Sequence, residues 1–156
     1  MDERACLATP PAMLTDLYQL TMASAYRHSG TDSLEASFHV SFRRNPFGSG
    51  FSVMCGLAQA IQFLERMRFT DEDLAYLATL SGNDGKRLFP AEFLSYLGGF
   101  RFSCDVDAVP EGTVVFPREP ILRVTGPIIA CQLAETTLLN IINFQTLVAT
   151  KAARVC

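Results

Sequence analysis

Arg43 and Arg44 stand side by side ahead of Asn45-Pro46-Phe47-Gly48-Ser49-Gly50. Two guanidiniums beside a glycine-containing loop suit an anion, because arginine offers fixed donors to phosphate oxygens. The other reading of the pair is a solvated strand end. The loop is not a P-loop, since it lacks the GK[ST] that grips β- and γ-phosphates. A second group lies in LTDLYQLTMA, where Asp16, Tyr18 and Gln19 crowd the first turns of a helix. An acid there is favoured by the helix dipole. A tyrosine on an apolar face is ordinarily core, with its hydroxyl reaching a partner. Gln19 needs only solvent.

Other titratable residues point less sharply. Glu135 interrupts an apolar helix and is a buried-acid candidate, for which a structural hydrogen bond to a neighbouring strand or helix is the plain explanation. His39 lies inside a strand and reads as structural. His28 sits near a helix C-terminus, as Lys151 and Arg154 do, and all three suit the dipole there. No G-x-S-x-G, HExxH or GxGxxG is present. The five cysteines, Cys6, Cys55, Cys104, Cys131 and Cys156, form no C-x-x-C pair, and with two histidines they do not make a zinc site. Lying among apolar residues, they read as buried, reduced thiols of a cytosolic protein.

The elements that must carry these groups follow from periodicity. Leu14, Leu17, Tyr18, Met22, Ala25 and Tyr26 recur at helical spacing, which predicts a helix over 14–28 with Gly30 as its stop. LEASFHVSF predicts a strand over 34–42. A second helix fits 52–66, with Val53, Leu57, Ile61 and Leu64 on one face. In FTDEDL, Thr70 caps a third helix with Asp73 three residues on, and Phe69 staples to Leu74. A short helix fits 91–97, stopped by Gly98-Gly99. Strands follow around 102–109, 113–116 and 121–125, separated by the turns PEG and PREP. After Pro127 comes a long helix of about 25 residues, spanning roughly 38 Å. It is apolar on nearly every side and is expected to be buried all round. Little sequence remains to cover it, so a further part of the structure is expected to be missing.

The totals agree with a folded unit. The 156 residues suffice for a domain with a real core. At 49% hydrophobic and 19% charged, the chain is more apolar than the ~25% charged average. The net charge of −3, with scattered Lys and Arg, argues against nucleic acid. The start, MDERACLATPP, does not have the form of a signal peptide. The most apolar stretch, 128–149, carries Gln132, Glu135, Asn140, Asn143 and Gln145, too many polar groups for a membrane span. Residues and spacing alone give a soluble α+β unit with one possible anion loop and no reaction.

LTDLYQLTMASAY, SFRRNPFGSGF, CGLAQAIQFL, RFTDEDLAYL, PEGTVVFPREPILRVTGPI and QLAETTLLNIINFQTLVATKAAR occur in this order. Together they resemble the N-terminal part of nicotinate phosphoribosyltransferase, from about Leu14 to Arg154. The resemblance implies the N-terminal α+β domain of a type II phosphoribosyltransferase over 1–126, and over 127–156 a helix leading into an α/β barrel that this chain lacks. It implies a cytoplasmic enzyme of NAD salvage, making nicotinate mononucleotide and pyrophosphate from nicotinate and phosphoribosyl pyrophosphate with ATP hydrolysis. ATP and Mg2+ are expected to bind mainly outside this chain.

The tyrosine of the family's D-x-Y-Q motif reaches across a homodimer interface and packs against the pyridine of nicotinate, and Tyr18 matches it. Asp16 matches a motif acid that orients the helix start. Arg43 matches an arginine that faces ribose or phosphate from the neighbouring chain, with Arg44 as the alternative match. The catalytic histidine is expected beyond Cys156, so the chain alone is expected to be inactive. The alternatives are a non-catalytic binding subunit of a split enzyme, a stand-alone nicotinate-binding domain, or a nicotinamide- or quinolinate-using relative.

Overall fold

The computed structural model describes residues 12–156. Helix α1 runs Leu17–His28 and strand β1 runs Glu35–Ser41. Next come β2 (Ser52–Val53), α2 (Leu57–Arg66), α3 (Asp71–Thr79) and α4 (Ala91–Gly99). The chain closes with β3 (Asp105–Ala108), β4 (Val114–Val115), β5 (Pro120–Pro127) and the long α5 (Ile128–Val155). This is the expected α+β class.

The sheet is antiparallel in the order β1-β5-β3, with Phe38 opposite Val124 and Val40 opposite Leu122. Alternation sends Val40, Leu122 and Val124 to the buried face, where α5 lies across the sheet. The register shifts between Val40 and Ser41, so the chain leaves the ladder just ahead of Arg43 and Arg44. Helices α1 and α2 flank α5. Phe63, Phe89, Phe93 and Leu97 belong to the same continuous core, and Phe69 meets Phe100 edge-on at 6.2 Å.

Several expectations need correction. The second helix begins at Leu57 rather than Ser52, because Ser52–Val53 pairs with Val114–Val115 as a small second sheet. Gly56 makes the break at φ +104°, a left-handed conformation that suits glycine, and a Cβ there would lie 3.2 Å from the Ile141 carbonyl. Glu111 accepts from the Gly56 and Ala58 amides at 2.7 and 3.3 Å, so an acid from a distant turn caps α2. The buried face of α2 is Ala60, Phe63 and Leu64, while Ile61 is exposed.

The short fourth helix runs through Gly98 and Gly99 instead of stopping before them. The cap of α3 forms as expected, with Thr70 and Asp73 exchanging hydrogen bonds at 2.8 and 3.2 Å. Among the described cysteines Cys131 is buried, Cys55 and Cys104 are partly buried, and Cys156 is exposed, against the expectation of burial. Cys6 lies outside the described residues.

Helix α5 is not buried all round. Ile129 to Ala134 are buried in succession, and beyond them only Thr137, Leu138, Ile142, Thr146 and Thr150 turn inward. Phe144, Leu147, Val148 and Val155 are exposed. No helix among the described residues is long and apolar enough to cross a membrane.

Candidate functional site

The seam between α1 and α5 is crossed by hydrogen bonds between polar side chains. Asp16 precedes α1 in extended conformation, as the N-cap rather than as part of the first turn. Gln19, expected to face solvent, is fully buried. Its Oε1 accepts from the Thr15 hydroxyl at 2.5 Å and from the Asp16 amide at 3.3 Å. Thr136 of α5 lies 2.7 Å from that same oxygen and 2.9 Å from Asp16 Oδ2, and its one hydroxyl proton serves these acceptors in turn. Thr137 donates to the Leu14 carbonyl at 2.7 Å, fixing the chain just before the helix.

Tyr18 is 47% exposed, so the expectation of a core tyrosine does not hold. Its hydroxyl does find a partner, donating to Glu135 Oε1 at 3.1 Å. Glu135 Oε2 accepts from Gln19 Nε2 at 3.2 Å and Gln132 Nε2 at 2.9 Å. Glu135 is thus the hydrogen-bonded acid that the sequence suggested, with its bonds going to helix rather than to strand. Partial burial, then the adjacent Glu135 carboxylate, hold the Tyr18 phenol above its ordinary range. The ring is left as an open apolar face whose hydroxyl end is anchored.

Arg43 and Arg44 occupy a neighbouring compartment. With His39 and Asn143 they line a cleft of about 780 Å³ between the end of β1 and α5. Neither guanidinium forms an ion pair among the described residues. His39 is exposed, and it also lines a cavity of about 330 Å³ that reaches Glu135. Asp16 and Tyr18 therefore meet at one seam, and Arg43 lies in an adjoining cleft that shares His39 with the Glu135 cavity.

Sequence reasoning gave no role to Asn143 or to the buried Gln132, and it left Gln19, which is also buried, to solvent. The available signal was a polar stripe, Gln132, Glu135 and Thr136, on successive turns of an apolar helix. Among the described residues no three His, Cys, Asp or Glu side chains converge to hold a metal ion.

Residues 13–143 match the sequence profile of the nicotinate phosphoribosyltransferase N-terminal domain. The chain belongs to that family. It is 48% identical over 147 residues to a nicotinate phosphoribosyltransferase of Mycobacterium tuberculosis, covering 92% of this chain and 30% of the relative. It is 46% identical over 141 residues to the Bacillus subtilis nicotinate phosphoribosyltransferase, covering 90% of this chain and 28% of that one. The structure of human nicotinic acid phosphoribosyltransferase superposes with a TM-score of 0.79 at 42% identity, over 90% of this chain and 27% of the human one. A nicotinate-nucleotide pyrophosphorylase from Pyrococcus furiosus, 19% identical with a TM-score of 0.58 over 84% of this chain and 24% of its own, shares the fold alone. The chain thus corresponds to the N-terminal part of nicotinate phosphoribosyltransferase and spans less than a third of the length of these relatives.

Proposed function

We propose that this chain is the N-terminal segment of a cytoplasmic, homodimeric nicotinate phosphoribosyltransferase, supplying side groups to an active site whose centre lies in a barrel beyond α5. The observation that carries the reading is the family match across residues 13–143. The reaction joins the pyridine nitrogen of nicotinate to the anomeric carbon of phosphoribosyl pyrophosphate. The carbon–oxygen bond to pyrophosphate breaks, the pyridine ring becomes a pyridinium, and ATP hydrolysis is coupled to the step. Such a transfer passes through an oxocarbenium-like centre and needs groups placed around the anomeric carbon and the pyrophosphate.

In this reading Tyr18 packs its open face on nicotinate bound across the dimer interface. Offset stacking of that kind adds about 0.5–1.5 kcal/mol beyond burial. Asp16, as the N-cap held by Thr136, orients the start of α1. Arg43, with Arg44 beside it, faces a ribose or phosphate oxygen, which suits two guanidiniums without ion-pair partners among the described residues. ATP and Mg2+ bind mainly outside this segment. The helix over 127–156 leads into the barrel, which covers its exposed apolar residues.

A second reading is a binding subunit whose barrel is a separate polypeptide, and the exposed Phe144, Leu147 and Val148 favour it. One experiment separates the two. The native polypeptide is captured from its source with an antibody to this segment, weighed intact, and assayed with nicotinate, phosphoribosyl pyrophosphate and Mg-ATP. The expected result is a species well above 17.2 kDa that forms nicotinate mononucleotide, while the isolated 156-residue chain forms none. A 17.2 kDa species arriving with a second, catalytic chain supports the split enzyme. A captured polypeptide that makes no product overturns the proposal.

A further inference from the structure

Glu135 is held on both sides. Gln19 and Gln132, which occupy its Oε2, are 0% and 3% exposed, so their amides have no water to turn to. The carboxylate is thereby aimed, and its other oxygen, Oε1, takes the Tyr18 hydroxyl proton at 3.1 Å. Two consequences follow for the Tyr18 ring. Its position is set by a bond at its far end as well as by its own backbone, although about half of the side chain stands in the open. Donation to an anionic acceptor also shifts electron density into the ring, which strengthens the negative face that attracts cations.

The proposed reaction turns a neutral pyridine ring into a cationic pyridinium. A ring that is fixed in place and electron-rich binds that developing charge better than it binds the starting nicotinate, and only such a difference accelerates the chemical step. We propose that Glu135 is a positioning residue that acts through Tyr18, holding its ring and enriching its face toward the pyridine as positive charge develops there. This rests on the reading of Tyr18 given under Proposed function.

The substitution Glu135→Gln separates this role from a merely structural one. The two buried amide donors claim the single oxygen of the new side chain, so its NH2 group faces Tyr18 and the phenol must accept instead of donate. The shape stays nearly the same while the polarity of the Tyr18 bond is reversed. In the native polypeptide carrying this segment, Glu135→Gln is expected to lower kcat/KM for nicotinate by roughly two- to tenfold. The KM for phosphoribosyl pyrophosphate is expected to move less than about twofold. In a Tyr18→Ala background the same substitution is expected to have no further effect, because residues that act as one unit are not additive. Tyr18→Phe, which keeps the ring and loses the bond, is expected to lose a similar factor. It serves as the second variant if Glu135→Gln does not fold.

An equal effect of Glu135→Gln with and without the Tyr18 ring, or no effect with the ring intact, overturns the inference. With Glu135→Gln unfolded, full activity of Tyr18→Phe does the same. Failure of the underlying reading looks different: Tyr18→Ala would then itself leave the nicotinate kinetics unchanged.

Discussion

Helix α5 has two halves that face opposite problems. Its first half, from Ile129 to Leu138, is enclosed by β1, β5 and α1, and polar side chains lie inside that enclosure: Gln132 at 3% exposed, Thr137 at 1%, with Glu135 beside them. Each has hydrogen-bond partners, and no buried side-chain nitrogen or oxygen among the described residues lacks one. The second half keeps Ile142, Thr146 and Thr150 inside, where the two threonines bond the amides of Cys55 and Val53 at 3.1 and 2.9 Å. Its outer side presents Phe144, Leu147, Val148 and Val155 to solvent, and with Phe47 the last three line an apolar groove of about 510 Å³. Where the chain covers itself, polar groups are buried and satisfied. Where it does not, large apolar groups are exposed, which marks a surface made to be covered. The candidate chemistry of Tyr18 and Glu135 belongs to the first half.

The largest test of the contrast stays on α5. Ile142→Ala removes a fully buried side chain and is expected to cost about 2–5 kcal/mol in a urea titration. Phe144→Gln, two residues on and 67% exposed, is expected to stay within about 0.5 kcal/mol of wild type and to weaken binding of a hydrophobic dye. Equal losses at the two positions would mean that the outer face is packed in the isolated chain. Two cysteines give a second comparison, Cys104 packed beside Cys131 in the inner half of the helix and Cys156 just past its end. Burial, then the neighbouring Cys131, push the Cys104 thiol up to about 12 at the enclosed end, and Cys156 stands exposed at the other. Peptide-resolved alkylation at pH 8 is expected to run at least roughly a hundredfold slower at Cys104 than at Cys156, since the thiolate is the nucleophile. Comparable rates would show that the enclosed end opens readily.

Much of this organisation was legible in the sequence. Helical spacing pointed to α1, the cap in FTDEDL to α3 and the apolar run after Pro127 to α5, and the Thr70–Asp73 cap formed where FTDEDL put it. The β2 strand was not legible, because Ser52–Val53 continues the helical pattern of 52–66 and only pairing with Val114–Val115 takes it out of the helix. A short ladder is a tertiary event, and local periodicity carries no record of it. The family resemblance singled out Tyr18 and Asp16, and the fold joins them at one seam. Gln19 was misjudged for a physical reason: composition cannot tell a glutamine that needs water from one satisfied by Thr15, Thr136 and Glu135, because that depends on how α1 packs against α5. Arg43 and Arg44 were visible as a dipeptide, but the cleft with His39 and Asn143 exists only once β1 leaves its ladder beside α5.

A smaller effect is expected at that glutamine. Gln19→Ala removes the acceptor of the Thr15 hydroxyl and the Asp16 amide and leaves Glu135 Oε2 with Gln132 alone. Deleting one member of a buried polar set typically costs about 1–3 kcal/mol. The same urea titration reads it, and a loss below that range would mean that water enters the seam and replaces the amide.

A modest effect is expected at Tyr18, and pH gives it a signature. The bond to Glu135 is half in the open, so Tyr18→Phe is expected to cost less than about 1 kcal/mol at neutral pH. The folded chain holds the phenolic proton more tightly than the unfolded chain, because partial burial and then the Glu135 carboxylate raise its ionisation above the ordinary value. That contribution is fully present below the unfolded value near pH ~10, and it is lost as pH rises through the higher folded value. The stability gap between wild type and Tyr18→Phe should therefore hold constant from neutrality to about pH 10 and close above it. Tyr96, whose ionisation is also raised, is present in both proteins and cancels from the difference. Urea midpoints for the pair at pH 8 and pH 11 give the answer. A gap that persists at the higher pH would mean that the Tyr18 hydroxyl does not donate to Glu135 in solution, and the inner half of the helix would then lose its only proposed link to the pyridine.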